Sequence, residues 1–279
     1  MQIRPTLLPS NQVESYFSQY KISFVSAKYK LGIVIPCFNE GKRANLQLFR
    51  EYINESKDYI FCFVNDGSTD RTHEILAILK DEFPDKVVVF NNSINQGKAE
   101  AVRVGMNYFL TCKITYIGFI DADLPTPMSE VERLFEIITT QKQLNLVFGS
   151  RATLHNPHIK RSRFRQWTGK LFAKLARRAL KMDIYDTQCG LKIFHSDLAA
   201  LVFKYPFRTK WLFDVEIFAR AKNIYGTSRL SELVQEVPLY RWEEIKGSKL
   251  IILDYIKIPF QFMILAIDIK SNFLKRRLQ

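Results

Sequence analysis

The chain has 279 residues, 47% of them apolar, with 41 Lys+Arg against 28 Asp+Glu and a formal net charge of +13. That length and apolar content support one large domain or two modest ones around a real core. Cys37, Cys62, Cys112 and Cys189 are far apart and form no C-x-x-C pair, which speaks against a disulfide or zinc framework and for buried, reduced thiols.

The charge is unevenly placed. Residues 1–140 carry 15 Lys+Arg against 17 Asp+Glu, a balance of −2, and residues 141–279 carry 26 against 11, a balance of +15. The asymmetry predicts an anionic partner for the C-terminal half, whether nucleic acid, a phosphorylated ligand or an anionic lipid surface. The N-terminus, "MQIRPTLLPSNQVESYF", has no apolar core of a signal peptide, so none is expected.

In chain order, "LGIVIP" (31–36), "YIFCFVND" (59–66), "KVVVF" (86–90), "YIGFID" (116–121) and "LNLVFGS" (144–150) read as strands. Between them, "ANLQLFREYI", "TDRTHEILAILKDEF", "GKAEAVRVGMNYFL" and "MSEVERLFEII" have apolar residues at helical spacing. Continuous apolar strands alternating with helices predict a mostly parallel, Rossmann-like α/β sheet with helices on both faces. Ligands in such folds bind outside the carboxyl ends of the strands. The polar clusters "PCFNEG", "NDGSTD", "NNSINQGK" and "DADLP" all follow strands. The expected organisation is an N-terminal extension (1–29), a first half (30–150), a second half of the same domain (151–249) and an amphipathic tail (250–279).

Asp121 and Asp123 close the fourth strand. Residues two apart in an extended segment point the same way, so both carboxylates can face one small volume. Two like charges there repel, and a hard cation such as Mg²⁺ or Mn²⁺ holding a diphosphate removes the conflict. Otherwise one caps the next helix and the other is solvated. Asp66, an acceptor-only carboxylate, could take hydrogen bonds from a base or ribose. The turn "DGS", with Ser68 or Asp70 capping a helix, is the plainer reading, and both can hold. Lys98 stands at a helix start suited to anions, or is an exposed loop lysine.

His155 to Met182 holds nine Lys+Arg and no acid. On a wheel, Lys170, Lys174, Arg177, Arg178 and Lys181 share one side, and Leu171, Phe172, Leu175, Ala176, Ala179 and Met182 spread over the other. That suits a helix in a membrane interface or on a nucleic-acid backbone, or a solvated basic face. The tail "KLIILDYIKIPFQFMILAIDIKSNFLKRRLQ" is apolar but interrupted, short of the ~18 unbroken residues of a spanning helix. It reads as amphipathic segments on a bilayer or as a helical cap on the core. Asp214 and Glu216 diverge if helical, so only one could face a site. The four histidines form no ligand spacing.

The ordered set "IVIPCFNE", "VNDGSTDRT", "NQGKAEAVRVGM" and "IDADL" resembles family 2 glycosyltransferases of the GT-A fold, over about residues 30 to 250. "GSRATL", "RSRFR", "DTQCGLKIF", "WLFDVEI" and "WEEIKGSKL" narrow the resemblance to the dolichyl-phosphate β-glucosyltransferase branch and its bacterial polyprenyl-phosphate relatives. The resemblance implies Asp121 and Asp123 at Mg²⁺ or Mn²⁺, with Asp123 the principal ligand and Asp121 on ribose or metal. It implies that Pro36, Phe38, Asn39, Glu40, Asp66, Lys98, Asp121 and Ala122 hold a nucleotide-sugar, with UDP-glucose favoured. Arg151, Arg161, Arg163 and Arg165 would face the acceptor phosphate, and Arg151 and Asp214 would be catalytic, Asp214 where inverting relatives place a base. Pro125 departs from the mannosyl relatives, which often carry a polar residue there; if that side chain completes the metal shell in them, the coordination here must differ, with water a candidate.

Glycosyl transfer with inversion needs a neutralised leaving diphosphate, a nucleophile in line and a base if that nucleophile is neutral. A lipid phosphate is already ionised and needs positioning by arginines. The implied enzyme works peripherally at the cytoplasmic face of a membrane on a polyprenyl phosphate, against an anionic surface. A transferase acting on a glycan hydroxyl in cell-surface polysaccharide synthesis would share every donor motif and would need Asp214. A nucleic-acid module without catalysis leaves the acidic motifs unexplained, and no nucleic-acid partner is expected.

Overall fold

The structure, a computed structural model, describes residues 28–42, 46–152, 159–160, 163–209, 212–243 and 261–262, with the backbone alone at 159–160, 163–168 and 170. The N-terminal extension through residue 27, Arg161, and the 250–279 tail apart from Gln261 and Phe262 lie outside the described residues. So do the side chains of Arg163, Arg165 and Lys170.

The elements run β1 (Leu31–Cys37), α1 (Leu46–Glu55), β2 (Tyr59–Asp66), α2 (Thr72–Glu82), β3 (Val87–Asn92), α3 (Lys98–Thr111), β4 (Tyr116–Phe119), α4 (Met128–Thr140) and β5 (Leu146–Ser150). There follow β6 (Ile159–Lys160), α5 (Arg163–Leu180), β7 (Lys192–His195), α6 (Ser196–Val202), α7 (Phe213–Tyr225), α8 (Thr227–Leu233), β8 (Val234–Pro238) and β9 (Trp242–Glu243). They fall into two compact units. One takes the chain to Asp123 together with His195–Pro206, and the other takes Leu124–Phe194 and the chain from Phe207.

In the first unit four parallel strands lie in the order β3-β2-β1-β4. Leu31 is level with both Tyr59 and Tyr116. All eight residues of β2 are buried, as a strand covered on both faces requires. Helix α3 lies so close to β1 that a Cβ on Gly105 would come within 2.5 Å of Val34 Cγ1. Its buried Glu100 and Arg103 neutralise one another through two hydrogen bonds of 2.7 and 2.9 Å. The order 3-2-1-4 reverses direction between β1 and β4, and their carboxyl ends form the switch point where such sheets bind ligands.

In the second unit β5 is flanked by antiparallel β7 and parallel β8, and β6 pairs with β9. Residues Phe213 to Ala221 of α7 are all buried, with Phe218 edge-on to Phe148 of β5 at 5.0 Å between ring centres. Glu130 of α4 accepts from the backbone N–H of Tyr240 and Arg241, tying the approach to β9 to that helix.

The expected α/β class is what the structure has, and each strand and helix read between residues 31 and 150 is present within a few residues. Strands β7 and β8 and helices α6 and α8 were not foreseen. All four cysteines are buried, and none of them is in a disulfide. Burial pushes the Cys112 and Cys189 thiols up to about 11.

Candidate active site

The loops after β1 and β2 are laced together in the first unit. Asn39, in the left-handed region at φ 49°, donates its N–H to Ser68 Oγ at 2.9 Å and accepts the Thr69 N–H at 2.8 Å. Glu40 N–H reaches Thr72 Oγ1 and Gly41 N–H reaches Asp70 Oδ2, both at 2.8 Å. Asp70 also accepts from the N–H of Thr72, the first residue of α2, so it steadies that helix start while holding the β1 loop. Ser68 serves Asn39 instead of capping. Pro36, Phe38, Asn39 and Glu40 are therefore presented on a backbone fixed from the neighbouring loop.

Asp66 is buried. Its carboxylate accepts from Gln96 N–H at 2.9 Å, Gly97 N–H at 2.7 Å and Asn92 Nδ2 at 3.1 Å. These partners make it a latch for the loop before α3. Gly67, at φ 67°, completes that closure, since a Cβ there would stand 2.4 Å from the Ile94 carbonyl carbon. The latched loop delivers Lys98, whose Nζ donates to Asp121 Oδ1 at 2.5 Å. Both side chains are about one third exposed.

Pairing of β4 with β1 ends at Ile120, whose N–H meets the Val34 carbonyl at 3.0 Å, and the chain turns at Ala122–Asp123. The turn, and not a continued pleat, sets the directions of Asp121 and Asp123. Ala122 is buried between them, and Leu124 follows at φ 47°, a costly conformation for a branched side chain. The Lys98 ammonium is a stand-in cation on Asp121, and two carboxylates are a hard-oxygen donor set that fits Mg²⁺ or Mn²⁺. Among the described residues no cluster of three or more His, Cys, Asp or Glu could cage a metal.

In the second unit Arg151 is clamped by Asp186. Its Nε and Nη2 reach the two carboxylate oxygens at 2.7 and 2.8 Å, and its own N–H adds a third bond at 2.9 Å. Its guanidinium also lies 5.3 Å from the Trp242 ring centre. Glu236 holds this turn by accepting from the N–H of Tyr185 and Asp186 at 2.7 and 2.8 Å. Burial raises its carboxyl above the ordinary range despite those donors. Asp214 is buried against the wholly buried Lys192, Nζ to Oδ1 2.5 Å, and Lys192 also donates to the Cys189 carbonyl at 2.6 Å. Glu216 turns away, as helical spacing requires, and serves Arg220 and the N–H groups of Arg208 and Thr209. A carboxylate in a buried ion pair is a poor general base, because it must leave its lysine to reach a proton. In this structure Asp214 stands as the buried partner of Lys192, which speaks against the base role expected of it.

The glycosyl transferase family 2 model matches residues 32–202. The chain belongs to glycosyl transferase family 2. Its similarity to the dolichyl-phosphate beta-glucosyltransferase ALG5A of Trichomonas vaginalis is 32% identity over 88% of this chain and 75% of that one. To the dolichyl-phosphate beta-glucosyltransferase of Saccharomyces cerevisiae it is 33%, over 84% and 73%. The human enzyme of the same name is 30% identical, over 80% and 70%. Among solved structures, glucosyl-3-phosphoglycerate synthase of Mycobacterium tuberculosis in complex with UDP superposes with a TM-score of 0.61 at 17% identity, covering 96% of this chain and 86% of that one. The same synthase with Mn²⁺, UDP and glucosyl-3-phosphoglycerate gives 0.57 at 16%, over 99% and 86%. At those identities the superposition speaks for the GT-A fold.

In this family 2 chain, α5 has six Lys+Arg and no acidic residue. Lys174, Arg177, Arg178, Lys181, Met182 and Asp183 line a groove of about 440 Å³. Leu171 and Leu175 are 45% and 37% exposed beside exposed Lys174 and Arg178. The wheel had set those leucines on the opposite side, but only Ala176, Leu180 and Met182 of this stretch are buried. The exposed stripe is thus apolar and basic together. Phe172 meets Phe262 of the tail at 5.5 Å between ring centres. Among the described residues no helix is long and apolar enough to cross a membrane.

Asp186, Glu236 and Lys192 were missed as site-building residues. "DTQCGLKIF" holds Asp186 and Lys192, though the partner of Lys192 on α7 lies 22 residues away. Nothing local marks Glu236, whose partners lie 50 and 51 residues away.

Proposed function

We propose that the protein transfers glucose, with inversion, from UDP-glucose onto a polyprenyl or dolichyl phosphate while lying peripherally on a membrane at its cytoplasmic face. The observation that carries the reading is the convergence of Lys98, Asp121 and the laced β1 and β2 loops at the switch point of a 3-2-1-4 sheet. The relatives named as dolichyl-phosphate beta-glucosyltransferases support the acceptor, and the synthase structures with UDP and Mn²⁺ support the donor and metal. In this reading the donor side belongs to residues 30–150 and the acceptor side to 151–249.

Pro36, Phe38, Asn39, Glu40 and Ala122 line the nucleoside site, and Asp66 shapes it through the loop it latches. Asp121 and Asp123 hold Mg²⁺ or Mn²⁺, which neutralises the leaving diphosphate when bound. Lys98 adds a second positive charge toward that diphosphate. An acceptor phosphate oxygen forms the bond to the anomeric carbon as the bond to the UDP oxygen breaks, and no proton has to be removed. The burial of Asp214 with Lys192 favours this ionised acceptor over a glycan hydroxyl, which would need a base. Arg161, Arg163 and Arg165 orient the phosphate, and Arg151, gripped by Asp186, belongs to the same acceptor side. The leucine and basic stripe of α5 lies against anionic lipid, its cations among the headgroups.

The test is a transfer assay with a panel of UDP- and GDP-sugars, with and without polyprenyl phosphate, and with Mg²⁺, Mn²⁺ or EDTA. Metal-dependent glucose in the lipid phase from UDP-glucose is the expected result. A donor that binds while the lipid stays unlabelled would overturn the acceptor.

A further inference from the structure

We infer that Lys98 is the resident counter-ion of the Asp121–Asp123 pair, a side chain that holds the metal site closed to a lone cation and yields it when a nucleoside diphosphate arrives. The inference rests on the donor-site reading above and adds a coupling between the two ligands.

The ammonium is seated by the fold. Asp66 fixes the N–H groups of Gln96 and Gly97, and the close packing of Gly67 against Ile94 and Asn95 locks the same loop from the other side. Gly97 at φ 99° then turns the chain into α3, so that Lys98 is its first residue. The long lysine stem carries the ammonium from there to Asp121. Its Nζ lies 2.5 Å from Asp121 Oδ1, with Lys98 35% and Asp121 28% exposed, so the pair is wet enough to open and close enough to matter.

The consequence is thermodynamic. A divalent cation that binds Asp121 alone must displace an ammonium from that carboxylate and leave it close by, which weakens binding of the lone cation. A diphosphate offers the ammonium a new anionic partner at the start of α3, where N–H groups also favour anions. Lys98 can then leave Asp121 without loss of pairing, and the carboxylate can turn to the metal. Each ligand thereby assists the other, and by linkage the assistance is equal in both directions. Deleting the ammonium should make the lone cation bind more tightly, make UDP alone bind more weakly, and shrink the coupling.

The experiment titrates the full chain with Mn²⁺, reading the free ion by electron paramagnetic resonance, with and without saturating UDP, in the wild type, K98M and K98R. K98M keeps the stem, and as the pair is partly exposed it should unfold close to the wild-type temperature. The expected result is Mn²⁺ binding to K98M without UDP that is tighter by about tenfold, with the gain from UDP reduced by a similar factor, and K98R close to wild type. Unchanged or weaker Mn²⁺ binding to K98M without UDP would overturn the role of Lys98. A wild type that takes up no Mn²⁺ even with UDP would overturn the donor-site reading itself and the inference with it.

Discussion

Asp214 and Lys192 form an ion pair of 2.5 Å in which the lysine side chain is wholly buried and the aspartate 5% exposed. Lys192 spans from that carboxylate to the Cys189 carbonyl, so the pair joins the start of α7 to the turn that carries Asp186 and, through it, Arg151. Asp214→Asn should therefore lower transfer to polyprenyl phosphate by less than about tenfold, well short of the ~10²–10⁴ that a lost general base costs. Lys192→Met, which strands a buried carboxylate, should destabilise the fold by about 3–5 kcal/mol in denaturant unfolding. A loss of three decades in well-folded Asp214→Asn would restore the base.

Asp123→Ala should cost several kcal/mol of transition-state stabilisation, about 10²–10³-fold in the metal-dependent rate. Circular dichroism should be unchanged, because the residue sits in a half-buried turn outside the apolar core. EDTA should bring the wild type to the same low rate. Wild-type rates in Asp123→Ala with Mn²⁺ present would remove the metal assignment.

The donor half was legible because its signals are local. Buried parallel strands are continuous apolar runs, and turn residues stand directly after them, so the 31–150 elements and the loops bearing Asn39, Asp66 and Asp121 could be read from order alone. What stayed hidden was what each side chain bonds to. The base-binding reading of Asp66 could not foresee that its carboxylate closes on Gln96 and Gly97, 30 residues away, nor could the wheel of α5 say which arc the rest of the fold covers. Strand β8, "VQEVP", mixes polar and apolar residues with a single buried position, which leaves no period to find. The short run of β7 is equally ambiguous between strand and helix.

The stripe on α5 predicts salt-sensitive, lipid-selective binding. Arg177→Glu with Arg178→Glu should release the protein from vesicles containing anionic lipid, and raising salt should do the same to the wild type, since exposed charges are screened beyond about 10 Å at 0.1 M. Leu171→Ser with Leu175→Ser should weaken flotation without altering the salt dependence, because it removes apolar contact and leaves the charge. In detergent, with a short-chain acceptor, both double variants should transfer at near wild-type rates. Unchanged flotation of the charge-reversed protein would count against an interfacial α5.

Glu236 gives the fold a pH signature. Burial raises its carboxyl above the ordinary 4.5, more than the Ser150 hydroxyl and the N–H groups of Tyr185 and Asp186 lower it. The folded chain then holds a proton at pH values where the unfolded chain has released it. Unfolding releases that proton, so stability falls as pH rises. The contribution is fully present below 4.5 and is lost as pH climbs through the raised folded value. Glu236→Gln does not titrate, and its amide sets an NH2 group against one of the two backbone N–H donors, which lowers the melting temperature at every pH. The gap between the two proteins should be widest in acid and should narrow as pH rises toward neutral. A wild type that instead gains on Glu236→Gln over that range would show that the two backbone donors, and not burial, decide the charge of this residue.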